Sequence, residues 1–131
     1  MAALETNVLV RYLIADDIKQ FEAAKKFIEE TIIDETLFIL VSVSVELEWV
    51  LRSLYELNKT TIITTFNRLL ESREIEFQEE PAIEVALSLY TDSNSDFADC
   101  LHIDCAQRQG RLPLMTFDRK ASRVNGAKLL V

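Results

Sequence analysis

Apolar and polar positions along this chain follow two rhythms. Phe21, Ala24, Phe27, Ile28 and Thr31 recur three and four apart, with Lys25, Lys26, Glu29 and Glu30 between them. That spacing lays the apolar side chains on one stripe of a helix. Asp17 followed by Gln20 has the form of a capping box at its start. The same period carries Leu47, Val50, Leu51 and Leu54, with Ser42 and Ser44 both suited to cap that helix. It returns in Ile62, Ile63, Phe66, Leu69 and Leu70. Pro81 suits the first turn of a helix through Ile83, Ala86, Leu87 and Tyr90. After a polar loop from Thr91 to Ser95, a helix from about Asp96 to Gln109 stops at Gly110.

The second rhythm is the short apolar run. Leu37 to Val41 is continuous, as in a strand buried on both faces. Glu74 to Phe77 alternates, Leu112 to Thr116 forms another strand, and Lys128 to Val131 a last one. A short strand ends near Glu5, and a short helix starts near Asn7. Asp118 suits the cap of a small helix with Arg119, Lys120 and Ala121. Strands alternating with helices predict an α/β fold: a central parallel sheet flanked by helices on both faces.

A chain of 131 residues has room for a single domain, residues 1–131. No apolar run approaches the roughly 20 residues that span a bilayer. The start, Met1 to Glu5, has neither the basic nor the long apolar stretch of a signal peptide. A cytoplasmic location is the expectation. Cys100 and Cys105 lie too far apart on one helix to bridge, and read as small apolar residues. The net charge of −8 argues against binding nucleic acid by bulk electrostatics, and leaves room for acids gathered where cations bind.

In open parallel sheets, ligands bind beyond the carboxyl ends of the strands. Glu5, Glu46, Asp99 and Asp118 fall at such ends or in the helices that follow, and Asp96 shares a helix face with Asp99. Several carboxylates with no histidine ligand are the composition for holding Mg²⁺ or Mn²⁺ and hydrolysing a phosphodiester, and the single histidine, His102, has no nucleophile and orienter assigned for a triad. Each acid also has a structural reading. Asp96 and Asp118 suit helix caps, and Asp99 suits a first-turn carboxylate. Glu48 reads as a solvated-face residue, and Asp16 and Asp17 as loop and cap. Glu5 resists dismissal, because an acid directly after a buried strand is costly unless paired. Trp49 and Tyr55 read as core or subunit-contact residues.

Four segments resemble the motifs of PIN-domain proteins. Glu5-Thr6-Asn7-Val8-Leu9 is similar to a first motif read there as Asp-Thr-Asn-Val-Leu, and Val45-Glu46-Leu47-Glu48-Trp49 to the second. Asp96-Phe97-Ala98-Asp99 resembles the third, and Thr116-Phe117-Asp118-Arg119 the fourth. The combination most resembles the VapC-type toxins of bacterial toxin–antitoxin pairs. The resemblance implies a PIN-like three-layer sandwich and an endoribonuclease dependent on Mg²⁺ or Mn²⁺, often acting on tRNA. It implies that Glu46, Asp99 and Asp118, with Glu5, are catalytic acids and metal ligands. Asp96 would support the metal, and Asn7 and Thr116 would orient the acids. Arg11 and Arg119, beside Glu5 and Asp118, are candidate phosphate contacts. A VapB-like antitoxin and an RNA substrate are the implied partners. Apolar residues around Trp49–Leu57 and Ile62–Leu70 suit an interface in a homodimer or a toxin–antitoxin hetero-oligomer.

The sequence departs from the family pattern at Glu5, whose side chain is longer than Asp by roughly 1.5 Å. Misplacement of about 1 Å can cost on the order of a hundredfold in rate, so an attenuated nuclease is expected. Two other functions compete. One is a catalytically silent PIN fold that only binds an antitoxin. The other is a phosphohydrolase with an Asp nucleophile, disfavoured because no clear Asp-x-Asp pair follows a strand.

Overall fold

A computed structural model describes residues 2–131. They fall into two compact units, Met1–Gln78 and Glu79–Val131. The matching of strands is parallel in both, as the alternation of strands and helices predicts.

The first unit runs β1 (Ala2–Ala3), α1 (Thr6–Ile14), α2 (Ile18–Thr31), β2 (Leu37–Ile39), α3 (Val41–Ser53), α4 (Lys59–Glu71) and β3 (Ile75–Phe77). Its sheet has the order β1-β2-β3, with Ala3 opposite Phe38 and Phe38 opposite Glu76. The central strand is the most apolar, and Leu37 and Ile39 are buried. Leu47 and Leu51 of α3 and Ile62 and Phe66 of α4 are buried too. Each such side chain contributes about 1.5–3 kcal/mol by leaving water.

The helix starts show where local rules hold. Asp17 caps α2 by accepting from the Gln20 N–H at 3.0 Å, and Asn58 caps α4 by accepting from the Thr61 N–H at 2.8 Å. The capping box is only half made, because the Gln20 side chain accepts from Arg11 Nε instead. At α3 the serines are not caps. The strand ends at Ile39, the helix starts at Val41, and both serines lie inside it. The Val41 N–H is satisfied by Oε1 of Gln78 at 2.9 Å, while the Gln78 N–H bonds the Ile39 carbonyl. A residue 37 positions away caps α3 because parallel β2 and β3 bring their carboxyl ends together. Phe27 departs from its predicted stripe: Ala24 and Ile28 are buried, but Phe27 is 44% exposed.

The second unit runs α5 (Glu80–Asp92), α6 (Phe97–Arg108), β4 (Leu114–Thr116), α7 (Arg119–Ser122) and β5 (Ala127–Leu129). Ala82, Ile83, Ala86 and Leu87 of α5 are buried, as are Phe97, Cys100, Leu101 and Ile103 of α6. The two helices pack against each other. Tyr90 and Phe97 meet edge to face at 5.8 Å between ring centres, an arrangement favoured by the ring quadrupoles. Pro81 lies in the first turn of α5, and no disulfide joins Cys100 and Cys105, as predicted. Gly126 has φ 102°, and an added Cβ there would stand 3.0 Å from a methyl carbon of Ile103. Only glycine fits the turn that brings its carbonyl to the Leu114 N–H at 2.8 Å and aligns β4 with β5.

Candidate functional site

In the first unit, α1 leaves the carboxyl end of β1 and α3 leaves that of β2, its hydrogen-bonded neighbour. Glu5 is the N-cap residue of α1, with extended backbone and no side-chain capping bond, so capping does not consume its carboxylate. Glu46 lies one turn into α3, and both side chains are exposed. They line one cavity of about 430 Å³ with Leu40 and Ser42. The unit therefore gathers two of the predicted acids. The cost argument made for Glu5 does not hold. The chain turns into α1 at this residue, and its side chain points to water rather than into the core.

Asn7, in the first turn of α1, lines a second cavity of about 690 Å³ with Glu5 and Arg11. The Arg11 guanidinium is already engaged. Its Nη1 donates to Asp16 Oδ1 at 2.8 Å and to the Tyr55 hydroxyl at 3.1 Å, and its Nε donates to Gln20. The Tyr55 hydroxyl donates to the other Asp16 oxygen at 2.9 Å. The bonds from Arg11 and then Tyr55 hold the Asp16 carboxyl below its ordinary range. Sequence reasoning missed this network, because Arg11 and Gln20 lie on two helices, Asp16 on the loop between them and Tyr55 beyond the end of α3.

Glu48 is a correction. It is 2% exposed, not solvated, and accepts from Arg52 Nε at 2.7 Å. Ser44, Leu47, Glu48 and Leu51 form the buried stripe of α3. Its position beside Leu47 and Leu51, with Arg at i+4, was the signal that could have found it. Asp104 repeats the pattern in α6: it is 4% exposed and accepts from Arg108 Nε at 2.5 Å.

In the second unit, Asp96 is the N-cap residue of α6, again exposed and without a side-chain capping bond. Asp99 sits half-buried in the first turn. Asp118 caps α7 by accepting from the Ala121 N–H at 2.9 Å through one oxygen, and its own N–H donates to Thr116 Oγ1 at 2.9 Å. Thr116 thus holds the backbone N–H of Asp118. Burial raises the Asp99 pKa from its ordinary value, and the charges of Asp118 and Asp96 add to the rise, while His102 opposes them. Asp99, Asp118 and Asp96 therefore share one field within this unit. Arg119 is exposed and makes no ion pair among the described residues.

The donor set is all carboxylate oxygen, which suits a small hard dication such as Mg²⁺ or Mn²⁺. Among the described residues, no three His, Cys, Asp or Glu side chains are grouped to hold an ion. Among the described residues, two buried hydroxyls, Thr6 Oγ1 and Ser95 Oγ, have no hydrogen-bond partner, and each adjoins an acid in sequence, Glu5 and Asp96.

Comparison with known proteins places these features in a family. The PIN domain profile matches residues 2–127, across both units. A protein of Aquifex aeolicus (strain VF5) named VapC ribonuclease is 27% identical over 125 residues, covering 95% of this chain and 92% of that protein. No described helix is long and apolar enough to cross a membrane.

Proposed function

This chain belongs to the PIN-domain family, and from that premise we propose that it is the toxin of a toxin–antitoxin pair, an endoribonuclease that hydrolyses RNA, tRNA among its candidate substrates. The observation that carries the reading is Asp99, half-buried and charge-crowded by Asp118 and Asp96, in a chain similar throughout to a VapC ribonuclease. Glu5, Glu46, Asp99 and Asp118 are the proposed catalytic acids. The proposed Mg²⁺ or Mn²⁺ ligands are Glu5 and Glu46 in the first unit and Asp99, Asp118 and Asp96 in the second. When bound, the ion would supply an activated water and neutralise charge developing on the phosphate. Asn7 and Thr116 would orient the acids; for Thr116 the bond from the Asp118 N–H supports this. Arg119 is free to contact phosphate, whereas Nη1 and Nε of Arg11 are already engaged by Asp16, Tyr55 and Gln20. A VapB-type antitoxin that presents an arginine to the acids would inhibit by pairing bidentately with a carboxylate. Exposed Trp49 and Leu54 support self-association as a homodimer, or assembly with the antitoxin. The proposed compartment is the cytoplasm.

The test is RNA cleavage by the purified chain with added Mn²⁺ or Mg²⁺. Chelation with EDTA is expected to abolish cutting, and the added ion to restore it. Metal-independent cutting would remove the metal from the proposal. No cutting under any condition, with antitoxin binding retained, would favour the silent fold.

Glu5 makes a second prediction. Its carboxylate is exposed and not held by a capping bond, so nothing here fixes the longer side chain in one place. Glu5→Asp is expected to raise kcat by about tenfold or more, within the range that a shift of roughly 1 Å commands. Equal metal-dependent rates in the two proteins would refute the attenuation.

A further inference from the structure

The negative charge of this chain is not spread evenly. From Arg111 to Val131 the charged residues are Arg111, Arg119, Lys120, Arg123, Lys128 and one acid, Asp118, in a chain of net charge −8. All five cations are exposed, and none is in an ion pair among the described residues. Within this basic segment the β4–β5 ladder turns an apolar face to water. Met115 lies opposite Lys128 in the parallel register, and both are exposed. Phe117 and Leu130 lie just past the carboxyl ends of β4 and β5, 72% and 51% exposed. A phenylalanine this exposed gives up stabilisation that burial would supply, and it stands between Thr116 and Asp118.

We propose that Phe117 is a stacking platform for an unpaired base of the RNA next to the phosphate that is cut, with Arg119 and its cationic neighbours holding the backbone. The inference rests on the ribonuclease reading and adds to it a base contact made by Phe117. Proteins that grip unpaired RNA combine cations along the backbone with aromatic rings under the bases. Both are present here, beside a proposed catalytic acid. The five unpaired cations disfavour a basic peptide as the occupant and favour a polyanion.

The experiment compares Phe117→Ala, Phe117→Leu and Phe117→Trp in steady-state cleavage of a short single-stranded oligoribonucleotide. A second substrate carries an abasic linker beside the cut. Because Phe117 is largely exposed, all three variants should melt as the wild type does. Ala and Leu are expected to raise KM on the order of tenfold with kcat little changed, and Trp to keep it low. The abasic substrate should raise KM for the wild type but not for Phe117→Ala. Unchanged KM in Ala and Leu, or an abasic effect of equal size in both proteins, overturns the platform. Direct binding separates this proposal from the one beneath it, using RNA with a fluorescent purine analogue beside the cut. Quenching that Phe117→Ala abolishes, in a chain that cuts nothing, sustains the platform and sinks the nuclease. Cutting without quenching sinks the platform alone. Loss of antitoxin binding in Phe117→Ala with KM unchanged assigns the face to protein and overturns the proposal.

Discussion

Asp99→Asn is expected to lower the RNA-cleavage rate by on the order of a hundred- to a thousandfold, the scale at which loss of one preorganised charge-stabilising group acts. Asn keeps the shape of the side chain and removes its charge, so the loss would report on the carboxylate rather than on packing. The same substitution should stabilise the metal-free protein. Burial, Asp118 and Asp96 raise the pKa of Asp99 in the folded chain, which means the folded state holds its proton more tightly than the unfolded state does. Its ionisation therefore subtracts stability. The loss begins as pH rises past the ordinary carboxylate value, about 3.9, and is complete above the folded value. In EDTA, the Asn variant should melt above the wild type at neutral pH, and the gap should close in acid, where Asp99 is protonated. Added Mg²⁺ should raise the wild-type melting temperature more than that of the variant. Thermal melts at acid and neutral pH, with and without the ion, measure all of this. A variant that cuts as fast as the wild type would remove Asp99 from the site.

Phe97→Ala is expected to destabilise the fold by about 3–5 kcal/mol, the range for truncating a fully buried aromatic residue. That is a large part of the roughly 5–15 kcal/mol that holds a domain together. Phe97 is 0% exposed and lies between Asp96 and Asp99, at the first position of α6. Its ring against Tyr90 anchors the start of the helix that carries both acids. The variant should lose cleavage more steeply with temperature than the wild type, as that start frays. Phe97→Leu refills most of the volume and should cost far less, under about 1.5 kcal/mol if the neighbours repack. Urea unfolding of the three proteins tests the ranking. An Ala variant within about 0.5 kcal/mol of wild type, the scatter of an ordinary surface substitution, would show that the ring is not an anchor.

These effects rest on features of unequal visibility. Periodicity and caps are local, so the helices of both units and the caps made by Asp17 and Asp118 were readable from neighbours three or four residues away. The α3 cap was not, because its partner is Gln78, and a side chain that arrives by way of strand pairing leaves no mark near Val41. Glu48 was misjudged for a related reason. Its charge outweighed the stripe it shares with Leu47 and Leu51, and only a buried setting with Arg52 accounts for a carboxylate there.

The acids divide along the same line. Their chemical type, their order and their positions at strand ends and helix starts are properties of the chain as written, and these were enough to point to a family and to cation chemistry. Folding alone decided that Glu5 and Glu46 share a cavity, that Asp99 feels Asp118 nineteen residues away, and that Arg11 is occupied by Asp16 and Tyr55. Backbone preference acts over about a helical turn, whereas proximity between distant side chains is set by how the strands pair and the helices pack.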